Sequence, residues 1–83
     1  MLTPAHCRAA RALLDLTQDR LAALAGLGVR TVKVFEKGDP PVSAESIAAI
    51  GAALAACGIE LVSDPDGTVG VLLRSAPGQP AGR

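Results

Sequence analysis

The 83-residue chain has no tryptophan, no tyrosine and a single phenylalanine. An aromatic core is excluded, so the interior has to come from alanine, leucine, isoleucine and valine. A domain this small buries only about 60% of the surface that its unfolded chain exposes. One domain is therefore the upper limit, and association with a second copy is a common remedy at this size. Histidine occurs once and cysteine twice, with no Cys-x-x-Cys pair. A structural zinc centre needs a cluster of such ligands, so no metal is expected and His6 reads as a spectator. The single histidine has no obvious acid or nucleophile partner, and no glycine-rich phosphate loop follows a strand. The common catalytic constellations are absent, so neither enzyme activity nor a cofactor is expected. No apolar run approaches the ~20 residues that span a bilayer, no signal-peptide pattern opens the sequence, and no internal repeat is visible. The expected compartment is the cytoplasm, with Cys7 and Cys57 reduced. Cys57, near a helix end, reads as a small buried hydrophobe.

Net charge is also absent, but the signs are separated. Residues 1–38 hold six cations (Arg8, Arg11, Arg20, Arg30, Lys33, Lys37) against Asp15, Asp19 and Glu36, a net +3. Residues 39–83 hold Arg74 and Arg83 against Asp39, Glu45, Glu60, Asp64 and Asp66, a net −3. A basic half beside an acidic half suits a polyanionic partner on one side only.

What is present is strong helix punctuation. Thr3-Pro4 is an N-cap followed by proline at the first helical position. It predicts a helix over residues 4–14, with Ala9, Ala10, Leu13 and Leu14 as its apolar stripe. Thr17 caps a second helix, with Asp19 in its first turn and Leu21, Leu24 and Ala25 as its core face. Gly26-Leu27-Gly28 is a tight turn. A third helix follows over about residues 29–36, with Val32 and Phe35 inward, and Lys37-Gly38 stops it. Asp39-Pro40-Pro41 cannot continue a helix. Ser43 caps a fourth helix to about Cys57, carrying Ile47, Ile50 and Leu54 on one face.

The period then changes. "IELVS", the turn "DPDG" and "TVGVLLR" predict a β-hairpin over residues 59–74, with Val69, Val71 and Leu73 on one face. The acidic pair Asp64 and Asp66 is explained by turn chemistry. A hairpin alone is marginal in water, and Leu61, Val69, Val71, Leu72 and Leu73 exceed what one face of a tiny domain needs. They are the candidate dimer interface, because small size and free strand edges point the same way. The organisation read from the chain is thus a helical unit over 1–58, a hairpin over 59–74 and a disordered tail over 75–83.

The stretch "ARALLDLTQDRLAALAGLGVRTVKVFEKG" resembles the lambda-repressor/Cro-like (XRE) helix-turn-helix domain. The matching positions are Arg11, the run Leu14-Asp15-Leu16-Thr17-Gln18, Leu21-Ala22, Ala25-Gly26, Thr31-Val32 and Glu36-Lys37-Gly38. Several spaced matches in register over Arg8 to about Leu54 are far more specific than any one dipeptide. The hairpin resembles that of a bacterial subgroup of such regulators, as a weaker match. The resemblance implies a mainly α fold: a four-helix DNA-binding domain followed by the hairpin.

The resemblance also implies roles. The third helix would read bases in the major groove of double-stranded DNA. Gly28, Val29, Arg30, Thr31 and Lys33 would lie at or beside the bases, Thr17 and Gln18 at a phosphate beside the start of the second helix, and Lys37 at the far end. Arg30 or Lys33 can donate to guanine, and Val29 can touch a thymine methyl. Arg11 and Glu36 would form a structural ion pair. Two positions depart from the pattern. Gly28 stands where Ser or Thr often caps the third helix, and Val34 where Arg or Lys is common. The expected function is a sequence-specific transcriptional regulator, a repressor, acting as a homodimer. The alternative is an antitoxin-like module that binds a partner protein on the same fold.

Overall fold

Three of the four helices begin on a hydroxyl that caps them. In the computed structural model, which describes residues 2–74, the helices are α1 (Pro4–Leu14), α2 (Gln18–Ala25), α3 (Val29–Lys37) and α4 (Ala44–Ala56). Two strands follow, β1 (Ile59–Ser63) and β2 (Val69–Leu73). The hydroxyls of Thr3, Thr17 and Ser43 accept from the backbone N–H groups of His6, Arg20 and Ser46, which would otherwise be orphaned at the helix starts. Gly28 caps α3 with no side-chain bond. Asp15, Gly26 and Gly38 close the first three helices in the left-handed conformation. The expected tail over 75–83 lies outside the described residues.

The strands form one antiparallel hairpin in the register Ile59↔Leu73, Leu61↔Val71 and Ser63↔Val69. Gly58 turns the chain from α4 into β1 at φ +95°, and a Cβ there would run into the Arg74 carbonyl oxygen. Glycine is therefore required by both conformation and space. The turn closes through Asp64 and Thr68, and Asp66 Oδ1 accepts from the Thr68 N–H at 3.0 Å.

The core is aliphatic, as the shortage of aromatics demands. Leu21, Val32, Ile50 and Leu54 are its fully buried centre, with Phe35, Ala22, Ala53 and Ile59 around them. The hairpin shares this core, because Ile59, Leu61 and Val71 pack into or against it.

Three expectations about faces need correction. In α1 the buried residues are His6, Cys7 and Ala10, while Ala9 and Leu13 are exposed and Leu14 is half-buried. The buried stripe has helical spacing but contains polar types, so a search for apolar letters shifts it round the helix. In α2, Ala22 replaces Leu24 on the inward face, and Leu24 is 50% exposed. In β2 only Val71 of the predicted face packs on the core. Val69 and Leu73, at the two ends of the strand, are exposed, since the helices cover only its middle. Cys57 is half-buried rather than buried, and both cysteines are free thiols.

Candidate nucleic-acid interface

The α2–turn–α3 unit presents one face of α3. Gly26 adopts φ +72° and its N–H donates to the Ala23 carbonyl, while the Leu27 N–H donates to the Ala22 carbonyl at 2.9 Å. These bonds end α2 and let α3 start after the three turn residues Gly26, Leu27 and Gly28. Val32, Phe35 and Glu36 point into the protein. Arg30, Lys33 and Lys37 are all exposed. Their spacing of three and then four residues puts them in one row along the outer side of the helix. Like charges at that spacing each cost an isolated helix about 0.2–0.5 kcal/mol. Among the described residues none of the three, nor exposed Arg20, has an ion-pair partner.

The remaining candidates fall around that row. Val29 and Thr31 are half-buried, and Val29 packs against the core, so only part of its side chain is free for a thymine methyl. Val34, which stands where Arg or Lys is common in the family pattern, is half-buried beside the row. Gly28 is exposed, with open space where a Cβ would lie. Thr17 is exposed while its hydroxyl oxygen accepts the Arg20 N–H at 3.0 Å. Gln18 is half-buried, and its Nε2 donates to Glu36 Oε1 at 2.9 Å. An amide nitrogen carries two hydrogens, so one is committed inward and the second remains available beside the start of α2.

Glu36 holds the unit to α1. Its carboxylate accepts from Arg11 Nε at 2.7 Å and Arg11 Nη2 at 2.8 Å, from Gln18 at 2.9 Å and from the Cys7 thiol at 3.0 Å. Four donors saturate a carboxylate's lone pairs. Burial alone would raise this carboxyl, but the bonds from Arg11, Cys7 and Gln18 and the Arg11 charge outweigh it and hold it below its ordinary value. The Cys7 thiol is pushed up to about 12, first by burial and then by its bond to Glu36. It is a neutral donor at any physiological pH. Arg8 Nη1 adds a bond to the Glu36 backbone carbonyl at 2.6 Å.

Sequence reasoning missed His6, Cys7 and Arg8 as parts of this frame. His6 is not a spectator: it is buried and both ring nitrogens are engaged. The spacing Thr3-x-x-His6 was the available signal, since the third residue of a capping box reaches back to the cap. Cys7 and Arg8 stand four and three residues before Arg11. If Arg11 faces α3, they must as well.

Of the candidate interface residues on the hairpin, Leu61 and Val71 are half-buried against their own chain's core. Val69, Leu72 and Leu73 are 53%, 46% and 44% exposed. No group of His, Cys, Asp or Glu able to hold a metal is found among the described residues.

The geometry is that of a short helix with an exposed cationic row, joined to α2 by a tight turn. The helix-turn-helix family model matches residues 8–61, from α1 past the end of α4 into β1. The chain belongs to the lambda-repressor-like (XRE) helix-turn-helix family. No curated protein matches it in sequence. As a helix-turn-helix protein of this type it is a DNA-binding regulator. No described helix of this helix-turn-helix protein is long and apolar enough to cross a membrane.

Proposed function

We propose that the protein is a homodimeric repressor that reads a pseudo-palindromic operator with one α3 in each half-site. The observation that carries this reading is the exposed row Arg30, Lys33 and Lys37, without an ion-pair partner among the described residues, on a helix whose other side is buried. A nine-residue helix bearing three mutually repelling cations gains from an anionic surface and loses from plain water. Arg30, nearest the start of α3, is the base reader, suited to the guanine O6/N7 pair. Lys33 reads or supports beside it. Lys37, Thr17 and the free hydrogen of Gln18 hold phosphates and set the register. Half-sites one helical turn apart, about 34–36 Å, match such a dimer. Occupancy of the operator is the mode of action, in the cytoplasm and on the nucleoid when bound.

The test is selection of sheared genomic DNA by the purified protein at about 150 mM salt, near physiological screening, followed by sequencing. An enriched inverted repeat supports the regulator and gives its operator. Absence of enrichment with folded protein overturns it, and makes the hairpin-bearing acidic half the place to seek a protein partner.

A further inference from the structure

Helix α1 is tied to its two neighbours by different chemistry. Toward α3, Cys7, Arg8 and Arg11 make four bonds to Glu36 over 2.6–3.0 Å. Toward the hairpin, the same helix offers His6. Its Nδ1 accepts the Thr3 N–H at 3.1 Å, which completes the capping box. An imidazole whose Nδ1 accepts carries its hydrogen on Nε2, and Nε2 lies 3.2 Å from the Val62 carbonyl oxygen of β1. His6 therefore donates across 56 residues of sequence while only 2% exposed.

Glutamate or glutamine is the usual residue at this capping position, and either would serve the cap. In His6 the two ring nitrogens, one carbon apart, serve the cap and the hairpin together. Among the described residues, His6 is the one side chain of α1–α4 hydrogen-bonded to the hairpin. The hairpin is otherwise seated by Ile59, Leu61 and Val71. Such apolar contacts hold it down but are non-directional.

We infer that His6 is a positioning residue for DNA reading: it fixes the tilt of the hairpin on α1, and so the separation of the two recognition helices in a dimer. This rests on the homodimer proposed above being joined through the hairpin, the interface that the sequence leads one to expect. Helix α1 is the strut, with His6 on the side that meets the hairpin and Cys7, Arg8 and Arg11 on the side that meets α3. The lever is long enough to matter. A tilt of about 10° about the centre of a molecule 38 Å long moves its end by ~3 Å, close to the 3.4 Å rise of one base pair.

The experiment uses the full chain, as wild type and as His6→Asn, with His6→Glu as a second variant. Both keep an acceptor for the cap, but the Asn amide is too short to reach Val62 from there and the Glu carboxylate has no hydrogen to donate to it. The probes are duplexes with two inverted copies of the selected half-site, separated by spacers varied one base pair at a time, and a duplex with one copy. Wild type is expected to prefer one spacer by about tenfold over its neighbours, since mispositioning resembles losing a contact. The variants, folded by circular dichroism, are expected to bind the single half-site as wild type does, and to flatten the spacer preference to about threefold or less. A folded variant that keeps the wild-type spacer preference overturns the inference. So does uniform weakening on all probes, which marks His6 as structural only. A wild type that binds paired and single half-sites alike, at every spacing, overturns the dimer reading itself before any variant is measured.

Discussion

Glu36 shows how one buried charge can be safe in a domain with so little core. Its side chain is 4% exposed and every lone pair is used. Removing it leaves Arg11, only 22% exposed, without its partner. Breaking a buried pair from one side costs about 3–5 kcal/mol. The partial exposure of Arg11 puts Glu36→Ala near the lower end, about 3 kcal/mol, a fall in melting temperature of roughly 12 °C or more at this chain length. DNA affinity should fall only as far as the folded fraction falls. Lost binding with an unchanged melting temperature would instead make Glu36 part of the interface. The carboxyl also gives the acid limb its sign. Its folded value lies below the unfolded one of about 4.3, so the folded state binds fewer protons. The Glu36 contribution is present above that unfolded value and is lost as pH falls through the folded one. Urea titrations from pH 6 downward should show stability falling in wild type and a flatter slope in Glu36→Ala.

Helix α3 is the element in which fold and function pull apart. Its start lacks a side-chain cap, since Gly28 offers no acceptor. The backbone there is extended, at φ −73° and ψ 150°, and the space for a Cβ is open. Serine fits both requirements. Gly28→Ser should raise stability by a few tenths of a kcal/mol, since glycine is a nearly adequate cap, and thermal melting of the pair of proteins measures it. The outer row makes a second prediction, in which two cations on the same helix behave differently. Arg30→Ala should cost about 1–3 kcal/mol and relax base choice at one position of the half-site. Lys37→Ala, in the last turn, should weaken all sequences alike and reduce the salt slope by about one. Binding isotherms over a salt series on matched and mismatched duplexes separate the two effects. An equal loss on every sequence for Arg30→Ala would remove it from direct readout.

At the scale of the whole molecule, what was legible in the sequence followed from local chemistry. Caps at Thr3, Thr17 and Ser43, glycines at 26 and 38 and the change of period after Gly58 place six elements to within a residue or two, and the spaced helix-turn-helix signature places α3. What was hidden depends on contacts between distant segments. His6 is an unremarkable letter until Val62, 56 residues away, supplies its acceptor. Leu24 and Leu73 look like core letters, but the neighbours that would cover them lie elsewhere in the fold. The same accounting narrows the proposed dimer surface. Leu61 and Val71 serve their own core, and Val69 and Leu73 share the side of β2 that carries Val71, so on the outward face self-association rests on Leu72. Leu72 pairs across the hairpin with exposed Glu60, which is itself bonded to exposed Arg74. A surface ion pair of this kind adds little stability, so apolar area has to drive association there. Burying a leucine that is half exposed contributes about 1 kcal/mol per chain, and placing a charge in its position reverses the sign. Leu72→Glu should therefore leave the melting temperature within a few degrees of wild type, because the side chain is already in water. It should shift sedimentation from dimer to monomer at micromolar protein. It should also abolish the advantage of paired half-sites over a single one, while single half-site binding is kept. Dimers that persist in Leu72→Glu would place the interface elsewhere, on exposed Leu13 or Leu24 of the helices.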